Sequence, residues 1–421
     1  YFTMFGGNLT VNDVSSSGSF NINNGTFTLN GTGRLFSLNL SGTLNGGSNS
    51  ILNVTDSFQQ SGGAINSAGD VALSKAEGDL LVGSITARNL VLEAQTGSIG
   101  QQDTALHVTR QLLTSSATGT TLTSGTNRIA AFAGNNRVSG DIMLVNNLEV
   151  ADTSVVKING VTNANGNINI VNTGGAATTA IGSDADFLGS MPTESGTPIS
   201  TAAHLATLGI VTNGTMSVAG TGSSVNLETH SPLTIGAGGV SATGNINLTA
   251  GNSGSATDNL IVNGVISSAG GNISLLAGNN MSINANVSTS APGTALFTVT
   301  NGVLTYAPGV SVTDASGTVV PVAAVVNQVI ASSSPEVKVQ ITEKVKSGVD
   351  ETAKNVSTPQ VTKINLPLTT FTPASSPVST PANTQTTGGT QGTFGGDDGG
   401  SGTPAGGGTA NTAKKPLPVC T

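Results

Sequence analysis

The chain has 421 residues, a formal charge of −8, 9% charged and 3% aromatic side chains, no Trp and 57 Gly. A compact soluble domain carries about 25% charged residues, so a helical bundle or an ordinary globular enzyme is disfavoured. The negative balance argues against a nucleic-acid partner, which needs clustered Lys and Arg, and against anionic membrane surfaces.

The first residues, Tyr1-Phe2-Thr3-Met4, carry no basic leader, and Gly7-Asn8-Leu9-Thr10-Val11 is already strand-like. The chain therefore reads as a piece of a longer polypeptide. Up to about residue 100, short runs alternate apolar and small polar residues, as in Ser19-Phe20-Asn21-Ile22, Thr26-Phe27-Thr28-Leu29 and Asn89-Leu90-Val91-Leu92. Alternation of this kind makes half-buried strands, and the Gly residues between them make turns. Over 100–175 the clear strands are Asp141 to Val145 and Gly166-Asn167-Ile168-Asn169-Ile170.

Residues 176–208 break the pattern with Asp184, Asp186, Pro192, Glu194, Pro198 and His204. An irregular insertion in a repetitive fold is either surface decoration or a ligand loop. On the second reading Asp184, Asp186, Glu194 and His204 are the candidate contacts.

From residue 209 the repeat resumes. Gly244-Asn245-Ile246-Asn247-Leu248 returns as Gly271-Asn272-Ile273-Ser274-Leu275. The same motif at Gly166 stands far enough before Gly244 to suggest three coils of about 26 residues each. Short strands and turns at such a period are the pattern of a β-solenoid, each coil adding about 4.8 Å. The expected architecture is all-β: a β-helix over 1–312, a cap or transition segment over 313–357, a disordered Thr/Pro/Gly/Ser linker over 358–413, and a C-terminal tether motif over 414–421.

In the transition segment, Val337, Ile341, Val345 and Val349 sit four apart after Ser334-Pro335, as a capped helix would place them. Val337 to Ile341 also alternates as a strand would. A helix there would cover the open end of the solenoid. No apolar run reaches the roughly 18 residues of a membrane span. Val319 to Ala331 comes nearest and is interrupted by Pro321 and Gln328.

No residue set recommends catalysis, a metal or a cofactor. The nearest acidic pairs are Asp184 with Asp186 and Glu77 with Asp79, and such i, i+2 pairs are common. His107, His204 and His230 are far apart, without zinc or triad spacing. Gly395-Gly396-Asp397-Asp398 occurs once, where a calcium-binding roll would repeat it. Asn-x-Ser/Thr sequons, such as those at Asn8, Asn24 and Asn213, are frequent in so Asn- and Thr-rich a chain. Cys420 is the single Cys, which excludes an internal disulfide framework. It is either an incidental exposed thiol or a hook that tethers the chain.

The Gly-Asn-Ile-Asn-Leu elements, with Ala277-Gly278-Asn279-Asn280-Met281-Ser282-Ile283, resemble the repeats of filamentous-haemagglutinin-type exoproteins exported by two-partner secretion. Most of residues 1–312 fits that pattern. The resemblance implies a right-handed parallel β-helix, export through a dedicated outer-membrane pore protein, a secreted or cell-surface location, and a role in adhesion or biofilm. Host or matrix glycans are then the expected ligands. Some adhesins of this type stay attached through a C-terminal Cys pair held in the pore; Cys420 takes that place alone, which leaves only an intermolecular link. The expected function is a non-enzymatic adhesin or matrix scaffold. The alternative is a carbohydrate-active β-helix enzyme: a lyase, hydrolase or depolymerase.

Overall fold

The computed structural model describes residues 1–147, 155–174, 178–182, 213–251, 257–313, 316–325 and 345–347. The chain divides after Thr372 into two units, and the second, Pro373–Thr421, lies wholly outside the described residues. Cys420, the linker and the tether motif therefore fall outside them, as do Asp184, Asp186, Glu194 and His204.

The first unit is a parallel β-solenoid of about 13 turns with almost no helix. Each regular turn lays down three strands, and most strands hydrogen-bond to their equivalents in the turns before and after; Leu80–Val82 pairs only with the following turn. The strands therefore form three columns. The first column holds Phe2–Met4 and ends in a nine-stranded sheet from Leu80–Val82 to Ala295–Val299. The second runs from Asn8–Val11 through Leu260–Val262 to Leu304–Tyr306. The third includes Met216–Val218 and Ile266–Ser268 and ends at Ser311–Thr313. Long strands bend from one column into the next. Ser84–Ala94 passes from the second to the third at Arg88, where its register against Leu106–Ser116 shifts.

The alternation in sequence becomes the inside and outside of the coil. Ile246, Leu248 and Ala250 are fully buried, and Asn247 and Thr249 face out. The inward residues of all turns join into one continuous apolar core, and each buried Leu, Ile or Val contributes about 1.5–3 kcal/mol by leaving water. Near the N-terminal end the core is aromatic. Phe2 stacks on Phe20 with centroids 4.4 Å apart, and Phe27 meets Phe20 edge-on at 5.2 Å.

Turn length varies more than the sequence period suggests. Near the N-terminus Asn21 and Asn39 stand in register on adjacent turns with |i−j|=18. Farther along, Asn245 and Asn272 are equivalents with |i−j|=27, and Ile246 pairs with Ile273 as the Gly-Asn motif leads one to expect. The interval between the Gly166 and Gly244 motifs is a correction: it spans two turns, not three. Ile168 pairs with Val225, and Val225 with Ile246. One of those turns runs from Ile168 to Val225, and spacing alone cannot tell one long turn from two short ones. Within the expected insertion at about 176–208, Thr178–Ile181 is a regular strand of the second column, paired with Leu233–Ile235; residues 183–208 lie outside the described residues.

At the far end, Ser311–Thr313 turns back into Val319–Pro321, the antiparallel pair of a column otherwise parallel. A helical turn over 322–325 follows, and Val322 and Val325 plug into the core. Val345–Ser347 adds a parallel strand beside Leu304–Tyr306. That segment is strand where the four-residue spacing favours helix; the rest of 335–354 lies outside the described residues.

Candidate ligand groove

The surface faces are held in place by two devices that the Gly-Asn motif encodes. The first is a column of glycines where the chain enters the first column of strands. A Cβ on Gly271 would lie 2.2 Å from the carbonyl carbon of Gly244, and one on Gly166 would lie 2.1 Å from the Gly140 oxygen. Backbone of successive turns passes so closely there that only Gly fits. The second is a stair of side-chain acceptors one residue later. Asp141 Oδ1 accepts from the Asn167 N–H at 2.7 Å, Asn167 Oδ1 from Ser224 N–H at 2.9 Å, Asn245 Oδ1 from Asn272 N–H at 2.8 Å and Asn272 Oδ1 from Thr294 N–H at 3.1 Å. Outward amides also ladder: Asn226 donates to Asn169, and Asn247 to Asn226, each at 2.7 Å.

The acidic pair Glu77 and Asp79 divides along these lines. Asp79 Oδ1 accepts from the Ser98 N–H at 2.8 Å and the Ser98 hydroxyl at 2.9 Å. Those bonds, the backbone one first, hold its carboxyl below the ordinary carboxylate value. Asp79 is thus a step of the stair. His107 lies in register beside Arg128 on the second column. His230 sits 3.6 Å from Glu228, both more than half exposed. Neither His joins a wider constellation. Among the described residues no three His, Cys, Asp or Glu side chains form a metal-holding group, and no helix is long and apolar enough to cross a membrane.

With Asp258, Asp70 is one of two carboxylates only 1% exposed among the described residues. Its Oδ1 accepts from Arg88 Nε at 2.8 Å and Asn89 Nδ2 at 2.9 Å. The carboxylate raises the Arg88 guanidinium above its ordinary value against an opposing burial effect. Arg88 also reaches back to the Ser48 carbonyl at 3.3 Å. This group staples the corner between the second and third columns.

An open groove of about 530 Å³ runs along the third column and its following corner. Its wall is a row of outward residues in register over four turns: Asn135, Thr162, Ser217 and Ser241. Thr162 donates to Asn135 Oδ1 at 2.8 Å. Its floor is fixed by two buried amides, Asn136 Nδ2 donating to Asn163 Oδ1 at 3.0 Å and Asn163 Nδ2 to the Asn167 carbonyl at 3.0 Å. Arg137 closes one end. Its Nη2 donates to the Ala94 and Gln95 carbonyls at 2.9 and 2.8 Å, and its Nη1 donates to Ser115 Oγ. The guanidinium so bridges two earlier turns, and no carboxylate pairs with it among the described residues.

None of these groove residues stood out in sequence. Arg137 meets partners 22, 42 and 43 residues away, and Ser217 and Ser241 look like any strand serines. The chain leaves the described residues after Gly182 and returns at Asn213, just ahead of Ser217. The ligand-loop candidates Asp184, Asp186, Glu194 and His204 lie within that interval. No family model, curated protein or solved structure matches the chain. The class that fold and site define is a parallel β-solenoid with an open groove of mixed polar and apolar lining along one face.

Proposed function

We propose that the chain is a non-enzymatic cell-surface adhesin or biofilm-matrix scaffold that binds glycans. The observation that carries the proposal is the groove lining: hydroxyls, amides and one guanidinium held by bonds between turns, interspersed with the small apolar Ala164, Val218 and Ala219. Such groups suit sugar hydroxyls, since each can donate or accept in a fixed direction. A glycosidase would need a carboxylic acid and a second carboxylate across the scissile bond, and the described residues that line this groove include neither. Export through an outer-membrane two-partner-secretion pore protein, and tethering by Cys420, belong to the same proposal and rest on the repeat resemblance.

Cells displaying the chain are expected to adhere to a glycan-coated surface more than cells lacking it. Cys420→Ser should shift the chain from the cell fraction to the medium. Equal adherence of the two cell types refutes the adhesin proposal, and unchanged retention of Cys420→Ser removes the tether.

A further inference from the structure

Arg137 spends three of the five N–H bonds of a guanidinium on two backbone carbonyls and a hydroxyl. All three acceptors are neutral, so the charge is oriented without a counter-charge among the described residues. A fixed, half-buried guanidinium beside a groove is a ready partner for an anion, because charge-assisted bonds to carboxylates are the strong ones. The row from Asn135 to Ser241 presents one polar group per turn, at a step of about 4.8 Å. An extended pyranose chain advances by a comparable step per sugar. Exposed Ala164 and Ala219 offer small apolar ground for sugar C–H faces at the same corner.

We infer that the groove binds an extended uronic-acid polysaccharide running along the solenoid axis, with a sugar carboxylate on Arg137 and sugar hydroxyls on Thr162, Ser217 and Ser241. This assignment rests on the glycan-binding proposal and narrows it to anionic sugars. The chain's charge of −8 provides no long-range attraction for a polyanion. Recognition is therefore local, and it depends on the one guanidinium and on room in the groove.

Binding of the full chain to polygalacturonate and to its methyl-esterified form, measured by calorimetry, tests the assignment. The acid form should bind, and esterification should weaken binding about tenfold or more, the usual value of one charge-assisted bond. Arg137→Gln should do the same. Because Arg137 also ties turns together, Ser217→Tyr is the companion variant: it fills the groove from an outward strand position that tolerates Tyr. It should weaken binding about tenfold with an unchanged melting midpoint. Absent binding, equal affinity for acid and ester, or normal binding by Ser217→Tyr overturns the assignment. If displaying cells still adhere to other glycans while polygalacturonate is ignored, only the uronate assignment falls; loss of both refutes the adhesin proposal as well.

Discussion

Gly271→Ala is the substitution that most sharply tests how the turns stack. The added Cβ would meet the Gly244 carbonyl carbon at 2.2 Å, the Gly244 oxygen at 2.3 Å and the Asn245 nitrogen at 2.5 Å. All three are backbone atoms of the preceding turn, so no side chain can swing aside. The turns must part by about 1 Å to restore ordinary contact, and overpacking of that kind costs about 1–3 kcal/mol. The same movement stretches two bonds beside it: Ile246 N–H to the Asn272 carbonyl at 2.9 Å, and Asn272 N–H to Asn245 Oδ1 at 2.8 Å. Weakening them adds up to about 1 kcal/mol, for a total of about 1–4 kcal/mol. Gly271 does not occupy the left-handed region, so the penalty comes from contact and not from backbone strain. Gly270→Ala is the control, because a Cβ there meets nothing within 4 Å. A solenoid responds locally to such a change. Hydrogen exchange of the segments around Ile246–Ala250 and Ile273–Ala277 is therefore the assay, with urea unfolding alongside. Protection in both segments should drop in Gly271→Ala and stay in Gly270→Ala. Equal protection in the two variants would refute the close-approach reasoning.

Other substitutions probe the polar corners. Asp70→Ala should cost about 2–3 kcal/mol in urea unfolding, because it strips the acceptor from Arg88 and from the buried Asn89 amide; a change under about 0.5 kcal/mol, the size of an ordinary surface effect, would contradict the staple. Asn127→Leu should cost a similar amount, about 2–3 kcal/mol, since its buried amide serves Leu106 N–H at 2.9 Å, Gln101 at 2.6 and 3.0 Å and the Val145 carbonyl at 3.1 Å. The folded-state value of Asp79 is depressed below 3.8. Its contribution is therefore present above that ordinary value and lost as pH falls through the depressed one. The group is exposed, so the effect is small. Hydrogen exchange around Leu80–Val82 should favour wild type over Asp79→Ala at pH 7 and lose that preference in strong acid; a preference that persists unchanged in strong acid would refute the role.

The solenoid was legible because burial on one face of a strand forces period-two alternation. Ile246 and Leu248 point inward, and their offset to Ile273 and Leu275 matches the pairing register. The turn count was less legible. The long turn between Ile168 and Val225 carries the same arithmetic as two shorter ones. The role of Asn in the motif was half visible. Composition assigns it to turns, while its side chain accepts the next turn's N–H, from a partner a whole turn away in sequence. The groove was not legible at all. Arg137 takes its meaning from Ala94, Gln95 and Ser115, and Ser217 from Thr162 and Ser241. Such neighbours exist only once turns stack, and the row includes a step across the long insertion. The break in pattern at Asp184 and its neighbours, by contrast, is visible to composition.

The central proposal is that the groove holds a glycan without cleaving it, and one measurement addresses both halves. The full chain is incubated with polygalacturonate, and the polymer's size, reducing ends and unsaturated ends are followed while bound polymer is recovered with the protein. The expected result is stable recovery of full-length polymer with no growth in new ends over time. Steady release of shortened chains, abolished by Arg137→Gln, would contradict the binding role and favour the carbohydrate-active enzyme.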